Sequence, residues 1–190
     1  MKNITAYAAL ANAALLLSVV AVFAFLPMGP VWSGHTAAFV ILAGPLPLAI
    51  TIAAWGLAMH PATSNMRTMA GLGAVLLVIA AVFMCLGALV ALDVIRRQDT
   101  TTWAFLPSFL VLFPIFILGG LGALCIAPRS FTESKEPNWL ALLGGVTAVA
   151  GVCIAGGPTP MLIAAAAFVL WWALLAAMLW LYKPSGATLQ

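Results

Sequence analysis

Residues 68–92 read TMAGLGAVLLVIAAVFMCLGALVAL and decide the fold. The run contains no charged residue and lies between Arg67 and Asp93. An α-helix rises about 1.5 Å per residue, so the run is long enough to cross a hydrocarbon core of about 30 Å. A soluble domain has little use for so long an uncharged run. The sequence therefore predicts a transmembrane helix here.

The composition extends this interpretation to the whole chain. Hydrophobic residues make up 65% and charged residues 6% of the 190, with a mean hydropathy of +1.20. Soluble domains carry about 25% charged residues. A chain this apolar cannot cover its surface with polar groups, so we expect its outer face to contact the lipid bilayer. The net charge of +3 comes from seven Lys and Arg residues with no basic patch, which argues against nucleic-acid binding.

The chain is expected to be an all-α, polytopic membrane helix bundle with six transmembrane helices in a single domain. Proline, glycine and charged residues separate the apolar runs, and no linker is long enough to divide domains. The predicted spans are residues 5–26, 37–59, 68–92, 102–127, 139–155 and 161–182.

The first span has an alternative interpretation. Lys2 and the apolar run after it resemble a signal peptide, and residues 22–24, VFA, form a weak cleavage-like triplet. The run is long enough to span a bilayer, so we expect it to be a retained helix. Cleavage would leave five spans and reverse the argument on orientation.

The distribution of Lys and Arg predicts the orientation, because these residues accumulate on the cytoplasmic side. With six spans, the two termini and the second and fourth loops share one side, and only Arg96 and Arg97 lie on the other. We therefore expect a multi-pass protein of the cell membrane with both termini in the cytoplasm. The cations assigned to the cytoplasmic side are Lys2, Arg67, Arg129, Lys135 and Lys183.

Two similarities suggest an internal repeat. Residues 14–23 resemble residues 74–83 at an offset of 60, and the pair Pro47 and Pro61 recurs as Pro114 and Pro128. One explanation is three tandem helical hairpins, a kind of parallel repeat found in transporters. The other is chance, because Ala, Leu and Val dominate every span.

Prolines inside the second and fourth spans provide the candidate ligand site. Each removes a backbone N–H and frees the carbonyl four residues earlier, which needs another partner in lipid. The kinked faces could line a small pocket, or the prolines could be packing kinks only. The candidate ligand-binding residues are Pro45, Pro47, Thr51, Pro107, Ser108 and Pro114.

Small residues recur at helical spacing in the third and fifth spans. Such stripes let membrane helices approach closely and gain packing energy. We expect these two spans to be central and tightly packed, with Gly119 and Ala123 forming a shorter stripe in the fourth span. The predicted packing residues are Gly144, Ala148, Gly151, Ala155, Ala74, Ala81 and Ala88.

Polar residues within the spans are scarce. Asp93 is expected to pair with Arg96 or Arg97 at the end of its span, and Asn12 to form an interhelical hydrogen bond. His35 and His60 are expected to be solvated loop or interfacial residues. The three cysteines, Cys85, Cys125 and Cys153, lie in apolar runs and are expected to be small buried residues.

Trp171 and Trp172 lie near the middle of the sixth span, where anchoring at a membrane interface does not explain them. Packing against lipid or protein is the simpler expectation, and contact with an apolar ligand is the alternative. No metal or cofactor is expected.

No span offers a carboxylate pair, a nucleophile with a base, or a metal motif, so the sequence predicts a non-catalytic protein. The first functional hypothesis is an accessory or scaffolding subunit that acts through helix packing, with other membrane subunits or a second copy as partner. The alternative is a small carrier or channel for an uncharged or apolar solute at the proline-kinked spans.

Overall fold

The computed structural model of the chain describes residues 2–25, 33–60, 67–97, 114–126, 138–153 and 158–181. These residues are almost entirely helical and contain no strand. The helices are α1 (Lys2–Phe25), α2 (Ser33–Ala43), α3 (Pro45–Ala58), α4 (Arg67–Arg96), α5 (Pro114–Ile126), α6 (Trp139–Val152) and α7 (Pro158–Leu181).

The predicted second span is two helices and not one kinked helix. The chain leaves helical geometry at Gly44, where φ is −133° and ψ is −83°, and Pro45 then occupies the first turn of α3. Proline suits that position because the first N–H groups of a helix lack intrahelical partners. Gly44 followed by Pro45 therefore ends one helix and begins the next.

Among the described residues, four segments are long and apolar enough to cross a membrane. They are Ile4–Phe23, His35–Ala58 across the break, Arg67–Arg96 and Thr159–Leu181. The helices α5 and α6 are apolar but shorter, with 13 and 14 residues. Residues 102–113, which belong to the predicted fourth span, and residues 154–155 of the fifth lie outside the described residues.

Contacts between named residues show that neighbouring helices run antiparallel. Tyr7, near the start of α1, contacts Trp180, near the end of α7, with ring centroids 5.7 Å apart. A Cβ on Gly56, near the end of α3, would meet the side chain of Thr5 on α1. The start of α1 and the ends of α3 and α7 therefore lie at one end of the bundle, which we call the base.

The remaining helices continue the alternation. Gly73, near the start of α4, lies against Gly122 near the end of α5, and Gly144, early in α6, lies against Leu124 of α5. The starts of α4 and α6 and the end of α5 are therefore also at the base. The other end, which we call the top, holds Asp93, Arg96 and Arg97 at the end of α4.

The helices form a closed ring in chain order. Each helix packs against the next one, and α7 packs back against α1. The inside of the ring is filled by large apolar side chains, including Leu77 and Met84 of α4 and Phe168 of α7, all almost fully buried. The outside is also apolar on every helix. On α4, for example, the exposed apolar residues include Leu72, Val75, Ile79, Val82, Leu86 and Leu89.

Candidate functional site

The break between α2 and α3 carries the first polar arrangement of interest. Pro45 and Pro47 have no N–H to offer the carbonyls of Ile41 and Ala43. The Ala43 carbonyl instead accepts a hydrogen bond from the Cys85 thiol of α4, at a Sγ–O distance of 3.0 Å. A thiol on the neighbouring helix thus satisfies one of the carbonyls that the proline pattern frees.

The predicted ligand-binding residues do not all face the interior. Pro45 and Thr51 are exposed, while Pro47 and Pro114 are half-buried. The Thr51 hydroxyl donates to the Pro47 carbonyl of its own helix at 2.8 Å, so it does not serve the freed carbonyl of Ala43.

The helices that carry these prolines also lie apart. The long α4 packs against α2 and α3 and also against α5, whereas contact between α5 and either α2 or α3 is marginal at most. Pro107 and Ser108 fall outside the described residues. A joint pocket of the two proline-containing spans stays a prediction.

The interface between α5 and α6 is made of small residues, and we call it the glycine interface. A Cβ added to Gly120 would meet the backbone N of Ala148, and one added to Gly144 would lie 2.9 Å from the backbone N of Leu124. A Cβ on Gly151 would lie 3.0 Å from the backbone N of Ile117. Real Cβ atoms essentially never come within 3.0 Å of another residue's backbone, so Gly120 and Gly144 cannot carry a side chain without a backbone shift, and at Gly151 the Ile117 backbone would have to yield slightly. Gly144, Ala148 and Gly151 therefore form one packed face, and Ala155 lies outside the described residues.

A second close crossing joins α4 to α5. A Cβ on Gly73 would lie 2.7 Å from the Gly122 carbonyl oxygen, and a Cβ on Gly122 would lie 2.9 Å from that of Gly73. The predicted packing residues of this span, Ala74, Ala81 and Ala88, are all buried on α4. Small side chains thus bring three consecutive helices, α4 to α6, into near contact of their backbones.

Large aromatic side chains from α7 occupy the inside of the ring opposite α4. Trp171 and Trp172 are both 0% exposed, and their ring centroids lie 4.8 Å apart at an interplanar angle of 84°. Phe168 lies 6.3 Å and 5.9 Å from the two tryptophan rings. We call these three residues the aromatic cluster. Of the two packing environments expected for the tryptophans, lipid and protein, the structure shows protein.

Asn12, Trp171 and Trp172 have buried polar atoms without a hydrogen-bond partner in the part of the chain that the structure describes. Asn12 is 0% exposed, and neither its amide nitrogen nor its oxygen has a hydrogen-bond partner among the described residues. The indole N–H groups of Trp171 and Trp172 also lack an acceptor there. The expected interhelical hydrogen bond of Asn12 is therefore not formed within the described part of the chain.

The expectation of solvated histidines is wrong. His35 and His60 are 1% and 5% exposed. The His35 ring lies in α2 with its centroid 5.4 Å from that of Phe23 of α1. The Pro and Gly residues before His35 made it resemble a loop residue in the sequence, but the helix begins at Ser33 and includes it.

The charged residues and the cysteines form no further site among the described residues. Arg97 pairs with Asp93 at a distance of 2.7 Å between Nη2 and Oδ2, which confirms the expected ion pair. The cysteines are free thiols, and the expectation of burial is wrong: Cys153 at the end of α6 is exposed, and Cys85 and Cys125 are half-buried. Within the described ranges, no group of three or more His, Cys, Asp and Glu side chains could hold a metal ion.

The structure thus defines an all-helical ring with an apolar outside and a few buried polar groups inside. Comparisons with known protein families, with curated proteins and with solved structures find no match to this chain.

Sequence reasoning missed two features of the interior. The Cys85 thiol was treated as a small apolar group, although it lies in α4 opposite the break and donates to Ala43. The sequence did contain an indication of the close approach of Thr5 to Gly56, because Gly56 is the one glycine within the described α3. A glycine inside a helix commonly marks a close neighbour.

Proposed function

We propose that this protein is a non-catalytic integral membrane protein of the cell membrane, with the base of the bundle facing the cytoplasm. The exposed aromatic residues support the position of the base at a membrane interface. Every exposed Trp or Tyr in the described residues lies at the base, namely Tyr7, Trp55, Trp139 and Trp180. Tryptophan and tyrosine favour the interface between membrane and water, because their rings are apolar with one polar group. The base carries Lys2 and Arg67 and the top carries Arg96 and Arg97. The assignment of the base to the cytoplasm therefore rests on the distribution of Lys and Arg over the whole sequence.

Within the membrane, we propose that the protein acts as an accessory or scaffolding subunit through helix packing. The observation that carries this proposal is the difference between the contacts among α4 to α6 and the outer surface of the bundle. Small residues pack α4 to α6 closely against one another, while the outside of each helix presents large apolar side chains. A closely packed bundle with an apolar outer face is suited to pack against other membrane helices, where close fit supplies the energy of association.

Purification in a mild detergent followed by native mass spectrometry tests the subunit proposal. We expect a heteromeric complex of fixed stoichiometry. At least one tryptophan substitution on the outer surface should dissociate this complex. The three variants, each at an exposed position on a different helix, are Val82→Trp, Val149→Trp and Leu170→Trp. Gly145→Leu serves as a control for added bulk, because a Cβ there meets only one side-chain atom at 3.9 Å. A monomer, or a complex that survives every outer-face substitution, would contradict the proposal.

A second candidate is a carrier for an uncharged solute, and the break between α2 and α3 favours it. Interrupted helices in transporters leave backbone groups unpaired within the membrane and often border the substrate site. Here Gly44 is the interruption, and the prolines leave the Ile41 carbonyl without an N–H donor from its own helix. Uptake of neutral solutes by liposomes that contain the purified protein distinguishes this candidate from the subunit.

A further inference from the structure

The break at Gly44 weakens the connection between α2 and α3. In an uninterrupted helix, the N–H groups of residues 44–47 bond to the carbonyls of residues 40–43. Pro45 and Pro47 have no N–H, so two of these four hydrogen bonds cannot form. The backbone therefore holds α2 to α3 more weakly than it holds the two halves of a continuous helix.

Packing does not explain the glycine at the break. Among the described residues, a Cβ on Gly44 would meet only the Val40 carbonyl oxygen, at 3.7 Å, which is an ordinary van der Waals distance. This differs from Gly56 in α3, where a Cβ would meet the Thr5 side chain. Glycine has the least restricted backbone of all residues, so at position 44 it allows the angle between the two helices to change.

A side chain of α4 holds the end of α2. The Cys85 thiol donates to the carbonyl of Ala43, the last residue of α2, at 3.0 Å. This carbonyl lacks its usual donor because Pro47 stands four residues later. The thiol therefore ties α2 to α4 at the point where a backbone bond to α3 is missing.

The helix α2 lies at the top of the bundle and packs against α1 and α4. Phe39 of α2 contacts Phe23, near the end of α1, with ring centroids 5.6 Å apart. Ala38, Phe39 and Leu42 are buried. Movement of α2 about Gly44 would withdraw these side chains and open the bundle toward the top, between α1 and α4.

We propose that α2 is a gate that turns about Gly44 as a unit, and that the hydrogen bond from Cys85 to Ala43 holds it closed. A glycine between two helices is the kind of residue that absorbs the backbone change of a hinge. The inference rests on the carrier candidate for the purpose of the movement, because a solute needs a route into the bundle. The test below measures the movement of α2 and not transport. An α2 that opens in a protein without solute uptake would refute the carrier alone, and a fixed α2 would refute the gate alone.

Hydrogen–deuterium exchange of the full chain in lipid nanodiscs, resolved by mass spectrometry, measures how often each helix opens. Residues 85–92 of α4 are the reference, because they lie beside α2 in the same half of the bundle. After correction for intrinsic exchange rates, we expect the α2 amides to share one opening equilibrium. The open fraction of α2 should exceed that of the reference by about tenfold or more.

Variants of Cys85 test the bond that holds the gate, and they compare the same α2 amides in each protein. Cys85→Ala should speed exchange in α2 about fivefold or more, because the Ala43 carbonyl loses its partner, while α3 keeps its rate. Cys85→Ser keeps a donor and should exchange like the unaltered protein. Cys125→Ala is the matched control, because Cys125 is also a half-buried free thiol but lies on α5.

Three results would each overturn the proposal. The first is an equal open fraction for α2 and the α4 reference in the unaltered protein. The second is unchanged α2 exchange in a folded Cys85→Ala variant, and the third is a rise in exchange spread equally over all helices. The comparison within the unaltered protein decides the matter even if the Cys85→Ala variant does not fold.

Discussion

The glycine interface and the aromatic cluster fill the same ring in opposite ways. Between α5 and α6, glycines bring the two backbones into near contact, so that no side chain separates them. Where α7 faces the inside of the ring, the space is filled by Phe168, Trp171 and Trp172, which are among the largest buried side chains. One side of the bundle is thus held by backbone proximity and the other by bulk.

This difference extends to the buried polar groups of the two sides. Among the described residues of the glycine interface, the buried Thr147 hydroxyl donates to the Leu143 carbonyl of its own helix at 2.8 Å. On α1 and α7, Asn12 and the two tryptophans instead carry buried polar atoms that have no hydrogen-bond partner among the described residues.

The largest effect is expected from adding bulk to the glycine interface. Gly120→Leu should prevent recovery of folded protein, because its Cβ would meet the Ala148 backbone, which cannot rotate away as a side chain can. Size-exclusion chromatography in detergent and circular dichroism measure the folded fraction. Gly145→Leu on α6 is the matched control and should fold, since its neighbour is a side-chain methyl of Leu124. A folded Gly120→Leu variant would show that the interface is less tight than described.

A smaller effect is expected from removing bulk from the aromatic cluster. Trp171→Ala should lower the free energy of unfolding by about 3–5 kcal/mol, the usual cost of truncating a buried aromatic residue. Trp180→Ala removes the same side chain from an exposed position, so its effect on unfolding should be much smaller. Titration with SDS in mixed micelles, followed by circular dichroism, gives both values. Equal losses would mean that burial in the ring does not determine the contribution of these tryptophans.

The helices and the glycine face were predictable from the sequence because both depend on local patterns. An uncharged apolar run of membrane length is visible in residues 68–92, and a spacing of three and four residues places Gly144, Ala148 and Gly151 on one face. Gly120 was not predicted, because its role depends on α6 lying directly opposite, which the pattern of α5 alone does not show.

The unpaired polar groups of the interior were not predictable either, because their surroundings depend on how the helices pack. The proline pattern directed attention to Pro45, Pro47 and Pro114, but α4 packs against both of the helices that carry them. The unpaired state of Asn12 depends on which residues its neighbours present, and those come from helices distant in the chain.

The smallest effect is expected where the glycine-rich helix α5 contacts the aromatic cluster, at Gly119 of α5 and Phe168 of α7. A Cβ on Gly119 would lie 3.0 Å from the Phe168 Cζ, the far end of a side chain that can yield slightly. Gly119→Ala should therefore cost about 1–2 kcal/mol of unfolding free energy. Phe168→Leu removes the ring, so the double variant should lose less than the sum of the single losses by at least about 0.5 kcal/mol. The same cycle with Gly145→Ala should be additive, because Gly145 has only a Leu124 methyl nearby, at 3.9 Å. Additivity in both cycles would mean that the glycine interface and the aromatic cluster are energetically independent.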